Sequence, residues 1–193
     1  IFTASGLDYE PPVLVLYAGR TASACGGADA AMGPFYCPND RRVFLDTDFF
    51  RVMAQDLGAR GEFAAAYVIA HEVAHHVQNE LGLLGGINAR RMRTSQREAN
   101  ALSVRIELQA DCYAGLWARH AEARFGSLEP GDIESAMDAA ARIGDDALQR
   151  ASRGVVVPDS FTHGSSAQRQ RWFMEGYRTG SPRACDTFAA ERL

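Results

Sequence analysis

The helical stretch between Gly61 and about Asn79 constrains this chain more than any other part of its sequence. Its apolar residues recur at the spacing of one helix face, and small residues dominate its first half. His71, Glu72 and His75 lie within this apolar setting. Burying two imidazoles and a carboxylate without partners costs several kcal/mol. The fold must therefore provide hydrogen-bond partners or a bound metal ion for these three side chains.

The spacing of these residues favours a metal site. His71 and His75 are four positions apart, so they share one helix face with Cβ atoms about 6 Å apart, and both rings can reach one ion at about 2.1 Å. Glu72 is rotated by about 100° from His71 and can contact a water in an open coordination position. This HExxH pattern indicates zinc, and the alternative is a polar stripe on an amphipathic helix. His76 points away from that face and is expected to be structural or to lie at the rim.

A third ligand is predicted on a second long helix, because catalytic zinc usually takes three protein ligands. No histidine follows at the spacing of a three-histidine site, but Glu107 and Asp111 lie four apart in "ELQADCYAG". This pair resembles the ExxxD element of zinc peptidases, which implies that Glu107 binds the metal and Asp111 holds the free N–H of the first histidine. The apolar surroundings of the pair also favour a bound cation. The alternatives are Asp111 as the ligand, or a solvated Glu107 paired with Arg105.

The rest of the sequence predicts one α+β domain over residues 1–193, mostly helical with a small N-terminal β-sheet. Residues 81–90 break the helical pattern, and residues 81–95 are a plausible mobile segment that could gate a cleft. Strands are predicted at 11–19, 33–38 and 41–46, and further helices at 46–58, from Ser95 to near Gly126, at 129–144 and at 165–180.

The cysteines indicate two disulfides. None of the four belongs to a CxxC pair, which argues against a cysteine zinc site. Cys25 and Cys37 bound one short loop rich in glycine and proline, which is easily closed, and this leaves Cys112 to pair with Cys185. The alternative is four reduced thiols. Two bridges would imply an oxidising compartment.

Composition excludes some partners and raises a question about the N-terminus. The formal net charge is -4 and no block of like charge occurs, which argues against nucleic acid as the main partner because phosphate binding needs a basic face. No apolar run approaches the roughly 20 residues that cross a bilayer, and we recognise no signal-peptide pattern in these residues. The chain begins at Ile1 instead of Met, so we expect a preceding segment in the full-length protein.

Several motifs together resemble the bacterial family of neutral zinc metallopeptidases. They are "FAAAYVIAHEVAHHVQN", "ELQADCYAG" and "SFTHGSSAQRQRWFMEGYRTG", and the stretches "GPFYCP" and "VFLDTDFF" are similar too. The resemblance implies a zincin-like fold, a zinc ion and peptidase activity on a peptide or protein substrate. Family members typically carry an N-terminal membrane-spanning segment. This implies an extracytoplasmic location, periplasmic or cell-surface, with a membrane anchor.

The predicted reaction is hydrolysis of a peptide bond, with Glu72 as the general base. His163 lies in a loop of glycine and serine just before a helix and is predicted to stabilise the oxyanion. The alternative is that it caps the helix or faces water. In zincins a strand edge pairs with extended substrate, and residues 43–46 are predicted to do so, unless they form an ordinary core strand.

Two other functions stay open at this point. One is a zincin-fold binding module whose metal is structural or whose cleft is occluded. The intact Glu72 argues against it, because a structural site needs no general base. The other is a non-peptidase zinc hydrolase that acts on an amide, which nothing in the sequence excludes.

Overall fold

The computed structural model describes residues 8–29, 33–55 and 62–193, and it has an α+β fold in which a small β layer precedes a helical body. The strands are β1 (Val13–Tyr17), β2 (Arg20–Ser23), β3 (Gly26–Asp29), β4 (Phe35–Cys37) and β5 (Arg42–Asp46). The helices are α1 (Thr47–Gln55), α2 (Glu62–Glu80), α3 (Leu83–Arg91), α4 (Gln96–Phe125), α5 (Asp132–Arg142), α6 (Asp145–Arg153) and α7 (Ser166–Thr179). Short 3-10 helices span Pro158–Ser160 and Pro182–Cys185.

Strand β5 is the centre of the main sheet. It pairs with β1 in parallel and with β4 in antiparallel orientation, and four of its five residues are buried. The prediction that residues 43–46 pair with substrate is therefore wrong, because both edges of this strand already carry backbone hydrogen bonds. The alternative, an ordinary core strand, describes β5 correctly.

Helix α2 enters the core through its N-terminal half. Phe63, Ala64, Tyr67 and Val68 are buried there against alanines of α5 and against Phe173 of α7. Full burial of a large apolar side chain is worth about 1.5–3 kcal/mol. This packing holds the first two turns of α2 rigidly and leaves its second half to present the histidines.

Helices α4 and α7 approach each other so closely that glycine is required at the contact. A Cβ atom on Gly115 would overlap the carbonyl oxygen of Phe173, and one on Gly176 would overlap that of Cys112. The ends of both helices follow the sequence signals. Ser95 closes a capping box at the start of α4 and Gly126 ends it in the left-handed conformation.

The predicted break at residues 81–90 is wrong, because most of this segment forms α3. Gly85 and Gly86 each weaken a helix by about 1 kcal/mol relative to alanine, which hides it in the sequence. The structure shows α3 packed on α2 and α4, contacts that a local pattern does not reveal. Helix α6 is a further helix that the sequence analysis did not predict, and the predicted helix end at Gly58 lies outside the described residues.

The two predicted disulfides are confirmed. Cys25 joins Cys37 with Cα atoms 5.8 Å apart, and Cys112 joins Cys185 with Cα atoms 5.5 Å apart. The second bridge ties the C-terminal segment to α4 inside an apolar cluster. Disulfides persist in oxidising compartments, so the two bridges indicate a setting outside the cytoplasm. Among the described residues, no helix has the length and apolar character needed to cross a membrane.

Candidate metal centre

Three side chains from two neighbouring helices converge on one point. His71 and His75 of α2 and Glu107 of α4 each offer a ligand atom, and these atoms lie within 4.8 Å of one another. The Oε2 atom of Glu107 is 3.1 Å from Nε2 of His71 and 3.4 Å from Nε2 of His75. These are the three residues that the sequence predicts as ligands, and α2 and α4 pack side by side to bring them together.

Asp111 binds the ring nitrogen of His71 that does not face Glu107. The Nδ1–H group of His71 donates to Oδ1 of Asp111 at 2.8 Å. Asp111 also accepts from the hydroxyl of Tyr67 at 2.6 Å and from Nε and Nη2 of Arg169 at 2.9 and 3.0 Å. Its carboxylate is fully buried and does not belong to the converging group. Because an ionised carboxylate only accepts hydrogen bonds, this contact keeps a proton on Nδ1 and directs Nε2 of His71 towards Glu107.

Gln78 orients the ring of His75 in the same way as Asp111 orients that of His71. Its Oε1 atom lies 2.8 Å from Nδ1 of His75. The amide nitrogen of Gln78 donates to the carbonyl of Ile106 at 2.8 Å and to Oε1 of Gln109 at 3.0 Å. Both of its N–H donors are thus used, so its oxygen accepts from His75 and leaves Nε2 of His75 facing Glu107. The sequence analysis missed Gln78, although it lies one helical turn after His75.

The converging atoms fit a metal ion. Two imidazole lone pairs and one carboxylate oxygen repel each other at these distances unless a cation or a proton lies between them. Zinc takes this set of two nitrogens and one oxygen in catalytic sites. Arg105, the alternative partner of Glu107, instead donates to the carbonyls of Thr187 and Ala190.

Without a metal, a proton takes the place of the cation. Burial lowers the pKa of His71, but the charge of Asp111 and the hydrogen bonds to Asp111 and Glu107 outweigh it and raise the pKa to about 10. Burial raises the pKa of Glu107, but the charge of His75 and hydrogen bonds from both histidines bring it well below its usual range. The metal-free centre is therefore a buried ion pair at neutral pH.

Zinc binding should release a proton and become tighter as the pH rises. His71, with its pKa raised to about 10, carries an extra proton throughout the neutral range, and zinc must displace it. The apparent affinity should rise about tenfold per pH unit for one displaced proton between about pH 6.5 and 8.5. Competition with a chromophoric chelator, corrected for its own titration, measures this slope. A zinc affinity that is constant over this range would contradict the protonated metal-free centre.

Glu72 lies beside the centre and has a free carboxylate. It is buried and lines the same cleft as the two histidines, and none of the described side chains is hydrogen-bonded to its oxygens. Burial raises the pKa of Glu72, and the charges of His75 and His71 only partly oppose this. A carboxylate with a raised pKa and unused lone pairs is suited to take a proton from a water in the cleft.

The cleft around these groups has a volume of about 680 Å³. The edge strand β4, helix α1 and helix α3 contribute to its walls together with α2 and α4. Apolar side chains on these walls include Phe35, Phe49, Leu84, Ile106, Ile143 and Leu148. The candidate centre is therefore accessible to a ligand of the size of a short peptide segment.

His163 lies on the wall of this cleft, held by Asp145. Its Nδ1 atom is 3.3 Å from Oδ1 of Asp145, while Oδ2 accepts the backbone N–H groups of Thr162, His163 and Gly164 at 2.7, 2.6 and 3.0 Å. The helix cap that follows is Ser165, so His163 does not cap α7. Its side chain is 52% exposed, so it does face solvent in part. The hydrogen bond to Asp145 and the charge of Glu107 raise the pKa of His163 more than burial lowers it.

Asp145 and Arg169 are the main residues that the sequence analysis missed. Asp145 starts α6, and a signal for this short helix exists in its two acidic residues after Gly144 and in Gly154 at its end. Arg169 is one of several arginines on α7, and only the packing of that helix on α4 shows that it points inward.

His76 is structural as predicted. It is buried, 3.0 Å from the hydroxyl of Tyr36, and donates to the carbonyl of Glu10 at 2.7 Å.

Comparison with known proteins now defines the class. The chain belongs to the family described as "Putative neutral zinc metallopeptidase", whose profile matches residues 1–188. The family name implies zinc, and the group formed by His71, His75 and Glu107 can bind a metal.

Curated relatives share this sequence over almost its whole length. A protein of Escherichia coli (strain K12), "Uncharacterized protein YpfJ", is 51% identical over 187 residues, which are 97% of this chain and 65% of that protein. A protein of Mycobacterium tuberculosis (strain H37Rv), "Uncharacterized protein Rv2575", is 46% identical over 195 residues, 96% of this chain and 65% of that protein. The chain thus spans about 65% of the length of these relatives. No solved structure matches this one.

Proposed function

We propose that residues 1–193 form one zincin-like metallopeptidase domain that hydrolyses peptide bonds with bound zinc. The observation that carries this proposal is the convergence of His71, His75 and Glu107 beside the free carboxylate of Glu72 in one cleft. A structural metal needs its ligands but has no use for an unpaired buried carboxylate at its side. This difference favours a hydrolase over a binding module.

His71, His75 and Glu107 would hold the zinc ion. When bound, zinc supplies a Lewis acid that lowers the pKa of a water towards about 7 and polarises the carbonyl group of the substrate. Asp111 and Gln78 keep the two imidazoles in the tautomer that exposes Nε2. The protein thus prepares the ligand geometry before any metal arrives.

Glu72 is the general base in this proposal. Its carboxylate accepts a proton from the attacking water, holds it in a buried position and donates it to the nitrogen of the leaving amine. The raised pKa of Glu72, which burial causes, makes both the uptake and the return of the proton feasible near neutral pH. An amide substrate other than a peptide would undergo the same steps, and the cleft volume of about 680 Å³ has room for a short peptide segment.

His163 is the proposed electrophile for the oxyanion. Asp145 binds its Nδ1–H group, which leaves the Nε2–H group available to the cleft. Removing one oxyanion donor lowers kcat by about 10²- to 10³-fold in other hydrolases, and we expect His163→Ala to do so here.

The Asp145→Asn variant should shift the alkaline limb of the pH profile to lower pH. Asp145 raises the pKa of His163, and the active form of His163 is protonated, so activity falls as the pH rises through this pKa. Loss of the carboxylate charge lowers the pKa, and the fall should begin at a lower pH. Asp146→Asn is the matched control, because Asp146 binds Ser166 and does not contact His163. If the alkaline limb lies at the same pH in Asp145→Asn and in the wild type, His163 does not take part in the reaction.

Location and partners are also part of the proposal. The two disulfides support an extracytoplasmic location, periplasmic or cell-surface, and the resemblance to membrane-anchored family members supports an N-terminal anchor in the full-length protein. The substrate class is a peptide or protein, and the net charge of -4 argues against nucleic acid as the main partner.

Proteome-derived peptides provide the direct test. The zinc-loaded protein is incubated with the mixture, and new termini are mapped by mass spectrometry against the Glu72→Gln variant and a chelated sample. We expect termini that need both zinc and Glu72. Identical new termini in all three samples, or no new termini with the wild type, would contradict the peptidase proposal.

A further inference from the structure

Helix α3 places a polar group on the wall of the cleft. Leu84, Asn88 and Arg91 all line the cleft, and their spacing of four and three residues puts them on one face of the helix. Helix α3 directly follows the end of α2 and packs on both α2 and α4. It therefore lies beyond the C-terminal end of the helix that carries the histidines.

Arg91 and Asn88 present hydrogen-bond donors to the cleft. The Nη1 group of Arg91 donates to Oδ1 of Asn88 at 3.1 Å. This contact occupies the amide oxygen of Asn88, so the remaining groups of the pair are the N–H donors of the guanidinium and of the amide. A positively charged cluster of donors matches a carboxylate.

Arg91 has no acidic partner among the residues that the structure describes. The neighbouring Arg90 lies near Glu98, whose pKa is lowered mainly by hydrogen bonds to Thr94 and Ser95 and further by the charge of Arg90. Two other cationic groups on the cleft wall are already paired, since Arg169 pairs with Asp111 and His163 pairs with Asp145. Several arginines elsewhere in the described residues form ion pairs, namely Arg41, Arg51, Arg97 and Arg142.

Apolar residues from other elements also line the cleft. Ile143 and Leu148, from the α5–α6 region, line it together with Phe49. Helix α5 packs on the N-terminal half of α2, as the shared core of Val68 and the α5 alanines shows. The cleft that holds the candidate metal centre therefore combines apolar walls with the polar Arg91 region.

We propose that Arg91 and Asn88 form a subsite for one carboxylate of the peptide substrate. This inference rests on the proposed peptidase function and specifies its substrate class. The carboxylate is an Asp or Glu side chain or the C-terminus of the peptide, which share the chemistry that the subsite recognises.

Binding to the Glu72→Gln variant tests the subsite without cleavage. The probes are fluorophore-labelled, otherwise neutral peptides that carry one Glu or its isostere Gln at each position in turn, each as the free acid and as the C-terminal amide. At one position, Glu should bind about tenfold more tightly than Gln, and this preference should weaken as salt is added. A preference for the free acid over the amide would instead identify the C-terminal carboxylate.

Two further substitutions, made in the Glu72→Gln background, identify the residue. Arg91→Gln should abolish the preference, and Arg91→Glu should reverse it towards peptides with one Lys. Arg93→Gln is the matched control, because Arg93 lies two residues further on and does not line the cleft, and it should keep the preference.

The outcomes separate this inference from the proposed function. A carboxylate preference that survives Arg91→Gln, or equal binding of Glu, Gln, acid and amide peptides, would overturn the subsite even if the wild type cleaves peptides. A preference that depends on Arg91 would support the subsite even if the wild type cleaves none, and in that case the peptidase proposal alone fails.

Discussion

The Glu72→Gln variant should bind zinc as the wild type does and lose about 10²- to 10⁴-fold in kcat/KM for peptide hydrolysis. The substitution keeps the size and polarity of a buried side chain that none of the described side chains contacts by a hydrogen bond. It removes the negative charge of the carboxylate and, with it, the ability to take up a proton. Metal content by mass spectrometry and cleavage of a quenched fluorescent peptide measure the two properties in the same preparation.

Glu62→Gln is the matched control for this experiment. Glu62 is an exposed residue in the first turn of the same helix, so its loss changes the charge of α2 without reaching the cleft. Its kcat/KM should stay within about twofold of the wild type, since surface substitutions have small effects. A Glu72→Gln protein that keeps its zinc and its hydrolytic rate would exclude Glu72 as the base.

Asp111→Ala should destabilise the protein by about 3–5 kcal/mol and weaken zinc binding by about 10- to 100-fold. Arg169 is buried, and Asp111 is its ion-pair partner at 2.9 Å. Because a guanidinium is not deprotonated in proteins, Arg169 stays charged when Asp111 is removed and becomes an unpaired buried charge. Urea unfolding of the metal-free proteins measures the loss of stability, and chelator competition measures the loss of zinc affinity.

Two further variants separate the buried charge from the support of His71. Tyr67→Phe removes a hydrogen bond to Asp111 and one from Arg169, and it should cost less than Asp111→Ala because the ion pair stays intact. Asp111→Ala combined with Arg169→Met should recover part of the lost stability, because no buried charge remains, but it should not recover the zinc affinity. A loss below about 1 kcal/mol in Asp111→Ala would show that Arg169 does not depend on this partner.

The pH dependence of this buried pair has a definite sign. Burial raises the pKa of Asp111, but the charges of Arg169 and His71 lower it to about 2. Because this is below the ordinary value of 3.8, the contribution of Asp111 to stability is present above that value and is lost as the pH falls through about 2. The Asp111→Ala variant should lack this part of the acid sensitivity.

The parts of the site that the sequence predicts are those that depend on local geometry. The spacing of His71 and His75 fixes their common face once the helix forms, and the structure places them at one centre. Glu107 and Asp111 follow the same rule on α4. Ser95 caps α4 as expected, because a capping box needs only residues within one turn.

The parts that the sequence does not predict depend on contacts between distant segments. Asp145 holds the loop at Thr162–Gly164 across the chain, and nothing in its neighbours reveals this. The double glycine of α3 suggests a break, although packing on two other helices makes it helical. Strand β5 has the composition of an edge or a core strand alike, and only its pairing with β1 and β4 shows which it is.

The glycine contact between α4 and α7 has a consequence at the candidate metal centre. Gly115 lies one helical turn beyond Asp111, and Gly176 lies two turns beyond Arg169. A methyl group at either glycine would push α4 and α7 apart. This displacement would separate the guanidinium of Arg169 from the carboxylate of Asp111, which orients His71. Metal binding thus depends on the absence of two side chains, at a helix contact that includes none of the candidate ligands.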